Sequence, residues 1–329
     1  MKKPTKKNSH KFQEESKVTF DNIVTRSEEM RSVIKTAKKV SSSDVTVLIT
    51  GESGTGKELV ARAIHNNSPR KDGPFVTVNC AGMPDTLLES ELFGHEKGAY
   101  TDATSTKKGR FELANEGTLF LDEVADLSPA AQAKTLRAVE EKEFERVGGE
   151  ESIYTNCRII AATNKDLLTE LREGRFREDL YYRLHEVPLY LPPLRERKED
   201  ISPLIELFIK EFNTKFAKKI EGVSNVTLAY LMRHDWPGNV RELKSLIRST
   251  MALIGRDVIW LEDLPFKIEL IDEKAIHRLD QDLSLKIMEQ EHILKVLNFT
   301  DWNKSKAANL LKISRPTLDK KIKEYRLET

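Results

Sequence analysis

The chain has 329 residues, of which 39% are hydrophobic and 33% are charged, and its formal net charge is +1. This length is sufficient for two or three domains with a substantial core. No apolar run approaches the roughly 18 residues that a membrane helix requires, so the sequence excludes a membrane-spanning protein and predicts a soluble, charge-rich one.

The chain begins with a basic segment, residues 1–17, that no apolar stretch follows. It is therefore not a secretory signal, and we expect a disordered tail. Cys80 and Cys157 are too few for a disulfide framework or a metal site. Each belongs to or follows a strand-like run, which predicts two buried thiols and a cytoplasmic location.

Four β-rich runs alternate with helical patterns between residues 18 and 192. They are VTVLIT (45–50), FVTVN (75–79), TLFLDE (118–123) and CRIIAATN (157–164). Apolar strands that alternate with helices predict an α/β domain with a parallel sheet covered on both faces. Residues 193–265 read as helices only, which predicts a separate helical subdomain, and the mixed, charged residues 266–283 predict a linker.

A glycine-rich loop, GESGTGKE, follows the first predicted strand and precedes a helix in which Leu59, Val60, Ala63 and Ile64 share one face. Glycines at three positions let the loop turn its N–H groups toward phosphate oxygens, and the helix adds its positive dipole end. Lys57 would reach the β- and γ-phosphates, whereas Glu58 stands where Ser or Thr usually binds magnesium. The predicted nucleotide-binding residues are Gly51, Glu52, Ser53, Gly54, Thr55, Gly56, Lys57 and Glu58.

A second motif, GTLFLDE, places Asp122 and Glu123 at the carboxyl end of the third predicted strand. Ligands bind at this end of the strands in open α/β sheets. Asp122 would hold Mg²⁺, directly or through water, and Glu123 would act as general base on the attacking water. A strand that merely ends in solvated acids is the alternative, and the preceding phosphate-binding loop argues against it.

The last segment, residues 284–329, predicts a small helical domain that binds DNA. Ten basic and six acidic side chains from Ser284 onward leave it positively charged in a nearly neutral chain. Ala307 and Ala308 allow close helix packing, and Leu318, Ile322 and Tyr325 would pack inward. This pattern is typical of a helix-turn-helix, although a helical hairpin with a charged face is the alternative. The predicted DNA-contacting residues are Ser314, Arg315, Thr317, Lys320 and Lys321.

These motifs together resemble the sigma-54-dependent activators, a branch of the AAA+ ATPases. The resemblance extends over roughly residues 18–325 and includes, in order, GESGTGKE, ELFGHEKGAYTDA, GTLFLDE, AATN, FREDLYYRL, LPPLRERKEDI and WPGNVREL. It implies an AAA+ P-loop NTPase with a parallel sheet and a helical lid, followed by a Fis-type helix-turn-helix. It also implies ATP and Mg²⁺ as ligands, a ring that is usually hexameric, and dimeric DNA-binding domains.

The resemblance assigns further roles around the ATP, which would lie between neighbouring subunits. Asn164 would sense the γ-phosphate, and Asn79 would hold Glu123 away or release it. Arg177 and Arg183 would be arginine fingers in the next subunit's site, with ion pairing to nearby acids as the alternative. Arg241 would be a second sensor carried by the lid; its alternative is a surface pair with Glu242 or Glu262. With these, the predicted catalytic residues are Lys57, Asn79, Asp122, Glu123, Asn164, Arg177 and Arg183.

The segment at 98–103 matches a family loop, GAFTGA, that grips sigma-54. Here it consists of Gly98, Ala99, Tyr100, Thr101, Asp102 and Ala103. Tyr100 keeps an aromatic ring for the contact, whereas Asp102 replaces a glycine and so adds a charge and restricts the backbone. ATP hydrolysis does not depend on this loop, but its coupling to sigma-54 does.

Three functions remain open from the sequence. The first is an activator that binds an upstream, enhancer-like DNA site and remodels the closed complex of sigma-54 RNA polymerase. The second is a DNA-binding AAA+ regulator that never engages sigma-54 because of Asp102. The third is a generic AAA+ remodelling ATPase, against which the helix-turn-helix argues. About twenty residues precede the ATPase region, too few for a receiver domain, so control would come from a separate regulatory protein or would not be needed.

Overall fold

The computed structural model describes residues 18–100, 103–265, 285–300 and 302–325. The predicted tail (1–17) and the predicted linker (266–283) lie outside these ranges, as do Thr101 and Asp102. The chain divides into two compact units between Pro265 and Phe266. None of the helices in the described ranges is long and apolar enough to cross a membrane.

The strands of the first unit form one central sheet and three two-stranded pairs. In chain order they are β1 (Val47–Thr50), β2 (Phe75–Asn79), β3 (Gly94–His95), β4 (Lys107–Lys108), β5 (Thr118–Asp122), β6 (Glu143–Glu145), β7 (Ser152–Tyr154), β8 (Arg158–Thr163), β9 (Val187–Tyr190), β10 (Gly222–Val223) and β11 (Val258–Ile259). The central sheet has the order β2-β5-β8-β1-β9, and all its neighbours pair in parallel. The predicted parallel sheet is therefore confirmed.

Helices pack on this sheet and form the lid. In chain order the helices of the first unit are α1 (Glu28–Ser41), α2 (Lys57–Asn66), α3 (Asp85–Phe93), α4 (Arg110–Leu113), α5 (Pro129–Glu140), α6 (Leu167–Arg172), α7 (Glu178–Leu184), α8 (Ile201–Phe216), α9 (Asn225–Arg233) and α10 (Asn239–Leu253). Two separate clusters of buried apolar side chains cover the sheet, one that includes α1 and α2 and one that includes α5 and α7. The inner strands β5, β8 and β1 are almost entirely buried, as a sheet enclosed by helices requires, whereas the edge strands β2 and β9 are partly exposed.

Three sequence expectations need correction. Strand β9 was not predicted, because it has only four residues and contains Pro188; proline removes a backbone donor and is tolerated at the edge of a sheet, where β9 lies. The residues of the lid are not purely helical, since β10 and β11 pair within them. Leu59 is 37% exposed, so the buried face of α2 consists of Val60, Ala61, Ala63 and Ile64.

The second unit contains α11 (Leu285–Phe299), α12 (Lys304–Leu310) and α13 (Arg315–Glu324). Ala307 and Ala308 are buried with Leu318 and Ile322 in one small core, against which Tyr325 packs. Ser314 begins α13 as its N-cap, because its hydroxyl accepts a hydrogen bond from the N–H of Thr317. The predicted helix-turn-helix is thus formed by α12 and α13.

The buried His65 on α2 makes the stability of the first unit depend on pH. Its Nδ1 lies 2.9 Å from Thr118 Oγ1, and its side chain is 3% exposed. Burial, followed by the charges of Arg158 and Arg62, lowers the pKa of His65 to about 4. In the unfolded chain the pKa is ~6.5, so below that pH the unfolded state takes up the proton first. Stability is therefore lost as the pH falls from 6.5 toward 4.

We expect the histidine to account for a loss of about 2 kcal/mol in the free energy of unfolding between pH 7 and pH 5. Urea denaturation of the parent chain and of His65→Gln at both pH values measures it. The variant keeps a polar side chain beside Thr118 but cannot titrate, so it should lose less stability by that amount. An equal loss in both chains would show that His65 is not buried in its neutral form.

Candidate nucleotide-binding and DNA-binding sites

The glycine-rich loop between β1 and α2 has the backbone conformation that the sequence predicts. Gly54 has φ +80°, and a Cβ atom there would lie 2.3 Å from the carbonyl oxygen of Gly238 in the lid. Gly56 has φ +108° and caps the N-terminus of α2, with nothing within 4 Å of an added Cβ. The first position therefore lets the lid approach the loop, and the second opens the helix N-terminus to a ligand.

Lys57 lies between the loop and the acidic end of β5. Its side chain is 7% exposed, and Nζ donates hydrogen bonds to the carbonyl oxygens of Gly51 (2.9 Å) and Glu52 (3.4 Å). The same Nζ is 3.6 Å from Glu123 Oε1. The ammonium group is thus held at the point where the loop and the carboxylate meet.

Asp122 and Glu123 end β5 as predicted, but their environments differ. Burial, and then the charge of Glu123, raises the pKa of Asp122. Glu123 has a left-handed backbone, with φ 54° and ψ 49°, which is uncommon for a residue with a side chain and recurs at functional sites. Its Oε2 accepts a hydrogen bond of 2.9 Å from the backbone N–H of Asn164. The structure therefore brings Lys57, Glu123 and Asn164 together.

Asn79 lies beside Asp122 across the β2–β5 pair. Its Oδ1 accepts a hydrogen bond of 2.8 Å from the N–H of Ala81, so its carboxamide is bound within its own turn. The carboxylate of Glu123 instead contacts Lys57 and the N–H of Asn164. The predicted exchange between Asn79 and Glu123 remains a prediction.

The lid contacts the loop through Arg241, whose Nη1 donates to Ser53 Oγ at 2.9 Å. The two alternative partners are engaged elsewhere: Glu242 accepts from the N–H of Gly238, and Glu262 pairs with Arg256. Arg241, the predicted second sensor, therefore contacts the phosphate-binding loop and does not form the alternative surface pair.

Sequence reasoning missed Asn239, although it lies in the quoted motif WPGNVREL. It is fully buried, with φ 52°. Its Nδ2 donates to Glu52 Oε2 and to the Ser53 carbonyl, each at 3.0 Å, while its Oδ1 accepts from the N–H of Leu194 at 2.7 Å. Asn239 thus fastens the start of α10 to the loop, and its left-handed backbone, which asparagine tolerates best, is compatible with this position.

Two arginines of LPPLRERKEDI hold the loop from the same side. Arg195 makes a bidentate pair with Glu52 at 2.6 and 2.9 Å, and this pair, followed by Asn239, lowers the pKa of Glu52. The buried Arg197 donates to the carbonyl oxygen of Thr55 at 2.8 Å. The contacts of Arg195 and Arg197 thus join the lid to the loop.

Glu58 does not take part in these contacts. Its carboxylate accepts hydrogen bonds from Arg62 on its own helix, at 2.7 and 2.9 Å.

A cleft of about 800 Å³ opens between the sheet and the lid. Its polar side consists of the loop with Asp122 and Glu123, and its apolar side includes Ile23, Leu204 and Phe208. This volume and mixed lining suit a nucleotide-sized ligand. Within the described ranges no three His, Cys, Asp or Glu side chains converge on a metal position.

The two predicted arginine fingers are paired locally within the chain. Arg177 donates to both oxygens of Asp179 at 2.6 and 3.0 Å, and Arg183 pairs with Glu186 at 3.0 Å. The side chains of Arg177 and Arg183 are 47% and 39% exposed. Exposed pairs of this kind stabilise a protein by only ~0–1 kcal/mol, so little holds either guanidinium to its present partner.

The loop at 98–103 is closed by backbone hydrogen bonds. Gly98 N–H donates to the Ala103 carbonyl at 2.8 Å, and Ala103 N–H donates to the Tyr100 carbonyl at 2.9 Å. Tyr100 is 42% exposed, and its ring packs edge-on against His95 with centroids 5.1 Å apart. Ala99 also lies in this turn. An aromatic side chain is therefore presented at the surface of the predicted sigma-54 contact.

The predicted DNA-contacting residues separate into two groups. Ser314, Arg315, Thr317 and Lys320 are exposed on the first turns of α13. Lys321 is half-buried, and its Nζ lies 2.6 Å from the carboxylate of Glu289 on α11. Its charge is therefore compensated within the unit, which distinguishes it from the other four.

A phosphate loop with a buried lysine, an acidic pair at the carboxyl end of a parallel sheet and a helical lid define a P-loop nucleoside triphosphatase. The chain matches the family described as the sigma-54 interaction domain over residues 23–190, the AAA+ ATPase lid domain over 195–281, and the bacterial regulatory protein, Fis family, over 284–325. The chain therefore belongs to the sigma-54 activator family of AAA+ ATPases, as the motifs indicated.

The similarity to known proteins covers most of the chain. It is 44% identical to the regulatory protein AtoC of Escherichia coli (strain K12), over 94% of this chain and 68% of that protein. It is 48% identical to the Nif-specific regulatory protein of Klebsiella pneumoniae, over 89% of this chain and 56% of that protein. The crystal structure of NtrX from Brucella abortus in complex with ATP matches with a TM-score of 0.71 and 35% identity, over 98% of this chain and 73% of that one. The chain thus spans little more than half of the Klebsiella relative.

Proposed function

We propose that the chain hydrolyses ATP in a ring of its own copies and uses this energy to remodel sigma-54 RNA polymerase at a promoter, while α13 binds duplex DNA upstream. The observation that carries the proposal is that Lys57 and Glu123 meet in one cleft, with the Glu123 carboxylate bound by the backbone N–H of Asn164, in a member of the sigma-54 activator family.

ATP binds with its phosphates against the N–H groups of residues 51–57 and the ammonium of Lys57. Lys57 now donates to loop carbonyls, so it is already aimed into the loop and exchanges these acceptors for phosphate oxygens. Asp122 would hold Mg²⁺ directly or through water. Burial and the charge of Glu123 raise the pKa of Asp122, and a bound cation would stabilise its carboxylate form. Mg²⁺ supplies charge neutralisation at the phosphates.

Glu123 removes a proton from the water that attacks the γ-phosphoryl group, and the bond to the β-phosphate oxygen breaks. The N–H of Asn164 fixes the carboxylate of Glu123, which orients the base before the substrate arrives. Arg241 contacts the nucleotide from the lid in place of Ser53. Arg177 and Arg183 leave their local acids and stabilise the charge of the transferring group in the neighbouring subunit.

The sigma-54 contact is tested by capture of purified sigma-54 on the tagged chain, in the presence of ADP and a metal fluoride that mimics the transferring phosphoryl group. We expect capture by the parent chain and its loss in Tyr100→Ala, with ATP turnover retained. Tyr154→Ala, which removes a tyrosine 63% exposed on β7, is the matched control and should still capture sigma-54. A parent chain that turns over ATP but captures no sigma-54, and gains capture by Asp102→Gly, would instead be a DNA-binding regulator that does not engage sigma-54.

The DNA contact is tested by two neighbouring lysines on α13. Lys320 is exposed, whereas the charge of Lys321 is compensated by Glu289. With the full chain and a mixed-sequence duplex, Lys320→Ala should reduce the slope of log affinity against log salt concentration by about 1. Lys321→Ala should leave the slope unchanged. Equal effects of the two substitutions would contradict the assigned DNA-facing side of α13.

A further inference from the structure

The buried side chain of Gln132 joins two segments that serve different active sites. It lies on α5 and is 1% exposed. Its Nε2 donates to the carbonyl oxygens of Leu127 (2.8 Å) and Arg175 (2.9 Å), and its Oε1 accepts from the backbone N–H of Arg177 (2.8 Å). Both amide hydrogens and the carbonyl oxygen are therefore engaged.

The first of these segments continues directly from the proposed general base. Residues Val124–Asp126 form a short turn in which Asp126 N–H donates to the Glu123 carbonyl at 3.0 Å and Leu127 N–H donates to the Val124 carbonyl at 3.2 Å. Lys165, the residue after Asn164, pairs with Asp126 at 2.6 Å. The Leu127 carbonyl that Gln132 binds is therefore joined to Glu123 by one short hydrogen-bonded turn.

The second segment carries the proposed arginine finger. Phe176 is 4% exposed and belongs to the same core cluster as Leu127 and α5. Gln132 binds the residues on each side of it, namely the carbonyl of Arg175 and the N–H of Arg177. The Glu170 carbonyl accepts from the N–H groups of Arg175 and Phe176, so Gln132 supplies the remaining bonds that fix the backbone on both sides of Phe176 and at the N–H of Arg177. The Arg177 side chain, which pairs with Asp179, extends from this fixed point.

We infer that Gln132 is a positioning residue that orients Arg177 toward the neighbouring subunit's ATP and links that orientation to the state of Glu123 in its own site. The inference rests on the proposed function, in which Arg177 acts across a subunit interface. A carboxamide is required because it supplies two donors and an acceptor at once. Without it the Leu127 carbonyl is left unsatisfied in the interior, the partly buried Arg175 carbonyl and Arg177 N–H lose their partner, and the segment rearranges to satisfy them.

The first test compares Gln132→Met, which keeps the volume and loses all three hydrogen bonds, with the parent chain. We expect unchanged binding of a fluorescent ATP analogue and a turnover about 100-fold lower, since a displacement of ~1 Å remote from the chemistry has such an effect. Thr135→Val on the same helix is the matched control. Thr135 is fully buried and its hydroxyl has no hydrogen-bond partner among the described residues, so this variant should turn over ATP like the parent.

The second test mixes variants, because a finger acts on the site of another subunit. Lys57→Ala leaves its own site empty at ATP concentrations that just saturate the parent, but it carries an intact Gln132 and Arg177. Mixed with Gln132→Met, it donates a correctly placed finger to the intact ATP site of that variant. Turnover of the mixture should then rise several-fold above the sum of the separate proteins, which a merely structural defect in Gln132→Met would not allow.

A mixture of Arg177→Ala with Lys57→Ala tests the proposed role of Arg177 separately from the inference about Gln132. If this pair fails to regain turnover, Arg177 does not act across subunits and the proposed function is wrong at that point. If it regains turnover while the Gln132→Met pair does not, or if Gln132→Met alone turns over ATP like the parent, the inference about Gln132 is overturned. If Gln132→Met does not fold, Gln132→Glu takes its place in the same mixing experiment. This variant keeps the acceptor for the Arg177 N–H and loses the amide donors to Leu127 and Arg175.

Discussion

Replacement of Lys57 by alanine should weaken ATP binding about 100-fold and remove turnover at ATP concentrations that saturate the parent chain. The ammonium group is 7% exposed and lies between the loop carbonyls and Glu123, so the phosphates would lose a desolvated positive charge. Truncation of one partner of a buried, hydrogen-bonded charge pair costs ~2–5 kcal/mol, and about 3 kcal/mol corresponds to an affinity about 100-fold weaker. Titration of a fluorescent ATP analogue in the presence of Mg²⁺ measures the loss.

Lys219→Ala is the matched control for this experiment. Lys219 is exposed in the connection between α8 and β10, so its removal changes the net charge equally and leaves the cleft untouched. Its affinity for the analogue should equal that of the parent chain. A Lys57→Ala chain that binds the analogue as tightly as this control would show that the nucleotide is held elsewhere.

Replacement of Glu123 by glutamine should leave ATP bound but uncleaved. The side chains have the same shape, and the amide oxygen still accepts the hydrogen bond from the Asn164 N–H, so the left-handed backbone at this position is retained. What is lost is the general base, whose contribution is ~10²–10⁴-fold in rate. Because the neutral amide no longer attracts Lys57, ATP affinity should equal or exceed that of the parent.

The control here is Glu116→Gln, at the opposite end of the same strand. Glu116 also has a positive φ, 59°. Its carboxylate accepts a hydrogen bond from Asn156, at the end of β5 that lies away from the phosphate-binding loop. This variant tests whether any neutralised glutamate with a left-handed backbone lowers turnover. Single-turnover phosphate release should be slow only in Glu123→Gln; equal rates in the two variants would remove Glu123 from the role of base.

The phosphate loop, the acidic pair and the helix-turn-helix could be predicted from sequence because each depends on neighbouring residues. Glycines before a lysine, a strand that ends in Asp122 and Glu123, and a serine N-cap before α13 all act within a few positions. Strand β9 could not be predicted, because it is short, contains Pro188 and is defined only by its pairing with β1. The exposure of Leu59 likewise depends on which surface of α2 the sheet covers.

The contacts made by the lid were the least accessible from sequence. Asn239, Arg195 and Arg197 reach the loop across more than 140 residues of chain, and no local spacing encodes such a pairing. The same holds for Gln132, whose bonds to Arg175 and Arg177 are 43 and 45 positions away. A buried polar residue inside an apolar helix was the available signal, since such residues need partners.

The central claim is that Lys57 and the glycine loop hold the phosphates of ATP within reach of Glu123. A crystal structure of Glu123→Gln grown with ATP and Mg²⁺ tests it most directly, because this variant retains the uncleaved nucleotide. The account predicts phosphate oxygens within hydrogen-bonding distance of Lys57 Nζ and of the N–H groups of residues 51–57, with the metal ion next to Asp122. A crystal structure at saturating ATP in which Lys57 still donates to the loop carbonyls, with no nucleotide bound against the loop, would contradict this claim.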